Sequence, residues 1–107
     1  MTEKIKVVIA NLKPVEEKFD SLIKILKEKL PEAKEIRGCK SMNACIDKQN
    51  KTIILYEVWE TEDDHKKYVS WRKETGVHNL ISQHLQDRSF SYYTYLVWVF
   101  IFYDGNY

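Results

Sequence analysis

The chain has 107 residues, 44% hydrophobic and 31% charged, with 17 Lys and Arg against 16 Asp and Glu for a formal charge of +1. This is material for one compact domain with a small core, spanning 1–107, and the balanced, dispersed charge excludes the basic stripe of a nucleic-acid partner. The longest apolar run, 96–103, is too short to cross a bilayer as a helix, and Ile5 to Ala10 is too short for the core of a secretion signal, so no membrane partner is expected.

In chain order, KIKVVIANL at 4–12 is β-branched and predicts a first strand. Pro14 is expected in the first turn of a helix, with Glu16 and Glu17 near the positive end of its dipole. Val15, Phe19, Leu22, Ile23, Leu26 and Leu30 then recur at helical spacing opposite Lys18, Asp20, Lys24, Lys27, Glu28 and Lys29, which gives an amphipathic helix. Pro31 interrupts or bends it, and Gly38 marks a turn. CKSMNACID at 39–47 and TIILYEVWE at 52–60 predict a hairpin across the loop KQNK. Thr61, with Asp64 three residues on, is expected to cap a helix that Gly76 ends. VHNLISQHL at 77–85 predicts a further helical piece, and FSYYTYLVWVFIFY at 90–103 the last strand.

The order is therefore β-α-β-β-α-β with a split second helix: an α+β, ferredoxin-like antiparallel sheet with helices on one face. IILYEVWE, 53–60, is apolar on both sides of its alternation yet carries Glu57. The helices cover one face, and a second copy of the sheet is expected to cover the other, making a homodimer whose two sheets form an α/β barrel. Glu57 is then either a partnered charge at that interface or a pocket base with a raised pKa. Cys39 and Cys45 lie about 20 Å apart by strand rise, too far to pair. They are expected on one face of their strand as buried small residues, and two reduced thiols fit a cytoplasmic protein.

Gly38-Cys39, then Tyr56-Glu57-Val58-Trp59-Glu60 with Thr61 opening a helix, then Tyr68, Trp71-Arg72 and Gly76 resemble the antibiotic biosynthesis monooxygenase domain of the dimeric α/β-barrel superfamily, over about 4–95. The resemblance implies a homodimer with a pocket between sheet and helices in each subunit. It also implies oxygenation of quinol-like or polycyclic aromatic substrates with neither metal nor organic cofactor, although sister groups bind and degrade heme. A non-catalytic dimer that binds a small ligand is one alternative, and a heme-binding or heme-degrading relative, through His78 and Asn11, is the other.

Asn11, Glu57, Trp59 and His78 are the catalytic candidates, and Tyr68, Trp71 and Arg72 the candidate contacts to a small aromatic molecule. Asn11 matches a strand-one asparagine of the heme-degrading relatives, or is a turn or capping residue before Pro14. Trp59 is a pocket floor or core. Arg72 orients an anionic substrate or forms a salt bridge on a helix surface. His78 follows Tyr68 by the ten residues that separate an aromatic residue from the ligating histidine in heme-degrading relatives, where that aromatic is tryptophan. His65, in a run of charges, is expected on the wet face of its helix. His84 is six residues beyond His78, unlike a zinc pair at i, i+4, so no metal site is expected. The apolar segment 96–103, where the resemblance stops, is expected to lie against the partner subunit.

Overall fold

A computed structural model describes residues 5–97. Its elements are β1 (Lys6–Pro14), α1 (Phe19–Lys29), β2 (Cys39–Asp47), β3 (Thr52–Trp59), α2 (Glu62–Glu74), α3 (Val77–Ser82) and β4 (Leu85–Thr94), with 3-10 turns at Glu16–Lys18 and Leu30–Glu35. The strands form one antiparallel sheet in the order β2-β3-β1-β4. This is the ferredoxin-like arrangement, and alternation along each strand sorts its side chains between a face under the helices and an outer face.

On the helix-covered face, Val8, Ala10, Leu12 and Pro14 of β1 lie beside Ile53, Leu55, Glu57 and Trp59 of β3, all buried. Phe19, Leu22 and Leu26 are the buried side of α1 and complete one apolar cluster with Ala10, Leu12, Ile53 and Leu55. A second cluster gathers Val8, Ala33, Trp59 and Tyr68. Glu57, between Leu55 and Trp59 on β3, falls at the seam between the two.

Local chemistry sets the ends of the elements. The Thr61 hydroxyl accepts the Asp64 backbone N–H at 3.1 Å and donates to the Asp64 carboxylate at 2.9 Å, fixing the start of α2. Gly38 has φ +88°, and a Cβ there would overlap the Asp64 side chain, so both the backbone and the cap require glycine. Gly76, at φ +85°, separates α2 from α3. The β2–β3 loop is tied by Asp47, whose carboxylate accepts the backbone N–H groups of Gln49 and Asn50.

Three expectations are corrected. Pro14 is not in a helix: it ends β1, buried, its carbonyl accepting from Gln86 Nε2 at 3.0 Å, and the 3-10 turn precedes α1. A proline is tolerated there because a strand end demands no further ladder N–H. Cys39 and Cys45 do not share a face, because the register shifts between Cys39 and Ser41. That bulge leaves Cys39 half-buried against the second cluster and Cys45 exposed, opposite Ile54. Finally, α3 ends at Ser82 and β4 already begins at Leu85, so the strand is earlier than 90–103. The part of that expected strand beyond 97 lies outside the described residues.

Candidate functional site

Between sheet and helices lies a cavity of about 70 Å³. Ala10, Leu12, Met42, Leu55, Glu57, Arg88 and Phe90 of the sheet form its floor, Lys29 and Leu30 one wall, and His65, Tyr68, Val69, Arg72, Val77, His78 and Ile81 its roof. All four strands and all three helices contribute.

The roof follows from one side of α2. His65, Tyr68 and Arg72 are its buried residues, at i, i+3 and i+7, so this helix turns a polar and aromatic stripe inward. His65 is therefore not on the wet face. Its side chain is 2% exposed and stands between the rings of Trp59 and Tyr92, with centroids at 5.6 and 5.5 Å. Its neighbours Asp64, Lys66 and Lys67 are charged, which hides a buried histidine in a run that looks solvated.

Glu57 is 3% exposed and faces the helices, so of the two alternatives for this acid the cavity is the one realised. Trp59 Nε1–H donates to Glu57 Oε1 at 2.9 Å, and His65 Nε2 lies 3.6 Å from the same oxygen. Burial pushes the Glu57 carboxyl above its usual range, partly offset by the Trp59 hydrogen bond. Burial pushes the His65 imidazole below its usual range, partly offset by the charge of Glu62. Both shifts favour the neutral forms, and His65 Nδ1 is buried without a hydrogen-bond partner. An acid with a raised pKa beside a neutral imidazole is suited to taking a proton from a weak acid bound in the cavity.

Trp59, wholly buried, is a core residue that also aims Glu57. Arg72 is consumed structurally: it donates to Glu32 Oε1 at 2.7 Å, the Lys29 carbonyl at 2.6 Å and the Tyr68 phenol at 2.8 Å. It thereby straps α2 to the end of α1 and closes one cavity wall. The strap is buried on the Arg72 side, not a surface ion pair, and leaves Tyr68 its own O–H to donate. Trp71 stacks on the Arg72 guanidinium at 4.6 Å but does not line the cavity.

Asn11 is exposed on the outer face of the sheet, paired across strands with Ile54 and Ser89, on the side away from the cavity. Period-two alternation puts Ala10 and Leu12 inside and Asn11 outside, so Asn11 and His78 do not face one bound group as the heme comparison requires. His78 does line the cavity, with Nε2 2.9 Å from Arg88 Nη1. His84 is bound through Nδ1 to the Leu80 carbonyl at 2.8 Å. Cys39 is no activated nucleophile, since burial and then the Glu57 charge push its thiol upward. Among the described residues no helix is long and apolar enough to cross a membrane.

Fold and cavity together define a ferredoxin-like α+β domain that holds an acid–imidazole pair inside a small, mostly apolar pocket. The antibiotic biosynthesis monooxygenase family model matches residues 6–74, more than half of the chain, and the chain belongs to that family. Similar solved structures include a conserved protein from Methanosarcina mazei, 16% identical over 87% of this chain and 94% of that one, with a TM-score of 0.77. PA3566 from Pseudomonas aeruginosa is 12% identical over 91% and 99%, with a TM-score of 0.78. A crystal structure of an antibiotic biosynthesis monooxygenase is 17% identical over 86% and 99%, with a TM-score of 0.76. At these identities the likeness is one of fold. No curated protein matches the chain.

Proposed function

We propose that the cavity oxygenates a small, electron-rich phenol or quinol with dioxygen, using no metal or organic cofactor. The observation that carries this reading is Glu57: a buried acid, aimed by Trp59 and set beside neutral His65, facing a pocket that is otherwise largely apolar. The pair takes the phenolic proton. The resulting anion gives one electron to dioxygen, and the radical and superoxide combine to form a carbon–oxygen bond. The peroxide takes that proton back from the pair, and loss of water from the hydroperoxide, with the hydrogen on the same ring carbon, leaves a carbonyl, so a phenol and O₂ become a quinone and H₂O. A dry pocket keeps the anion electron-rich and guards the intermediate from solvent.

The volume of about 70 Å³ favours a single-ring quinol-like substrate over a polycyclic one, since pockets for drug-sized ligands run to roughly 300–1,000 Å³. Oxygen uptake with single-ring quinols and anthrones, in protein stripped of metals by chelation, tests the reading. Single-ring turnover above the spontaneous rate is the expected result. Binding of these compounds without uptake would instead support the non-catalytic alternative.

The working form in this reading is a homodimer in the cytoplasm, the compartment that suits free Cys39 and Cys45. Ile54, Tyr56 and Tyr93 on the outer face are 40%, 42% and 55% exposed, an apolar patch that a second sheet would cover. Sedimentation equilibrium should give twice the 12.8 kDa of the chain, and Tyr56→Lys should shift it toward monomer. A monomeric wild type would refute the dimer.

A further inference from the structure

The cavity has a second polar end, on α3 and β4. Arg88 Nη1 lies 2.9 Å from His78 Nε2 and 3.1 Å from Ser82 Oγ. A guanidinium only donates, so His78 Nε2 accepts and the neutral ring keeps its hydrogen on Nδ1. The Ser82 hydroxyl in turn donates to the His78 carbonyl at 2.8 Å. Arg88 Nε is buried and has no hydrogen-bond partner, and among the described residues no carboxylate lies within ion-pair distance of this side chain.

The contrast with Arg72 in the same cavity is informative. Arg72 is matched by a carboxylate, a carbonyl and a phenol, so its charge is paired and each of its three nitrogens is already engaged. Arg88 meets only neutral acceptors and keeps a desolvated N–H, an arrangement that is costly unless an anion completes it. Burial lowers its affinity for the proton, though an arginine stays charged, and Arg88 and Lys73 add to burial in holding His78 neutral.

We propose that Arg88, with His78 and Ser82 behind it, is the anion-receiving end of the cavity, and that the ligand is a small carboxylic acid whose carboxylate docks there while its phenolic or enolic group reaches Glu57. Arg88 pairs with Leu12 and Glu57 with Val8, four residues apart along β1 and on the two strands that flank it, about 16 Å between backbones by strand rise and strand spacing, and both side chains line the one cavity.

The inference rests on the cavity being the ligand site of the proposed oxygenase, yet its test needs no turnover. Binding of 2,5-dihydroxybenzoate and of neutral hydroquinone is measured by titration calorimetry on wild type, Arg88→Gln and Arg88→Lys, each checked for folding by circular dichroism. Wild type should bind the carboxylate at least about tenfold more tightly than hydroquinone, as charge-assisted hydrogen bonds imply. Arg88→Gln should erase that preference, and Arg88→Lys should restore part of it. Equal affinity of wild type for both compounds, no binding of the carboxylate, or a preference that survives Arg88→Gln would overturn the proposal. Binding that follows Arg88 without any oxygen uptake would keep this inference while removing the oxygenase reading.

Discussion

Glu57→Gln is expected to lower kcat for oxygen uptake by about 10²–10⁴-fold, the usual contribution of a positioned base, while leaving the fold as stable as wild type or more so. The glutamine carbonyl can still accept the Trp59 hydrogen bond, so packing is kept and only the charge is lost. Its effect on stability depends on pH in a defined direction. Burial holds the Glu57 proton above its ordinary 4.5, so the folded chain binds that proton more tightly than the unfolded chain does. Stability is therefore lost as the pH rises from 4.5 through the folded value, and the full cost is present above it. The variant lacks this cost and should gain on wild type in Tm as the pH is raised from about 4.5 to neutrality. His65, lowered by burial from 6.5, acts oppositely and costs stability as the pH falls through 6.5, but it is present in both proteins. A Tm difference that stays flat or falls with rising pH would contradict the burial of an ionisable Glu57, and full activity in the variant would remove it as the base.

Trp59 carries the largest expected effect on stability. It is wholly buried in the second cluster, with Tyr68 at 5.0 Å and His65 at 5.6 Å between ring centroids. Trp59→Ala should cost about 3–5 kcal/mol, a large share of the roughly 5–15 kcal/mol that holds a small domain together. Trp59→Phe separates packing from polarity, because it keeps most of the ring volume but removes the donor to Glu57. A buried carboxylate left without its donor costs about 1–3 kcal/mol, and that cost should appear mainly above the raised pKa of Glu57, where the acid ionises. Urea midpoints for both variants at acid and neutral pH provide the measurement. A Trp59→Phe loss of equal size at both would mean that packing alone, not the bond to Glu57, is what the indole supplies.

The fold was legible because its signals are repetitive. Helical spacing of Phe19, Leu22 and Leu26, the alternation of 53–59, and the Thr61 and Gly76 boundaries each use several residues to state one thing. β4 was misplaced because its early half, Leu85 to Ser89, is largely polar on an edge of the sheet, while the more apolar segment after it looks more like a strand. The face reversal of Cys45 was hidden because a bulge leaves no mark in CKSMNACID.

The site was legible only in part. Glu57 stood out as an acid in an apolar strand, and its partner Trp59 came with it. His65 was missed because hydrophobic patterning counts histidine as polar, yet it shares the i, i+3, i+7 spacing of Tyr68 and Arg72, and this spacing applied to all side chains would have found it. Arg88 lies four residues before Tyr92 in a stretch that gives no cue, and only the β1–β4 register, Leu12 opposite Arg88, brings it beneath the helices. Asn11 failed for the same physical reason in reverse: one step along a strand exchanges the faces.

The most direct measurement is mass spectrometry of the product formed from a single-ring quinol under labelled dioxygen, using chelator-treated wild type and Glu57→Gln. One labelled oxygen atom per product molecule is expected from wild type, formed at a rate at least about a hundredfold above the variant. Product that carries no label, or labelled product formed equally fast by both proteins, would contradict oxygenation at the Glu57–His65 cavity.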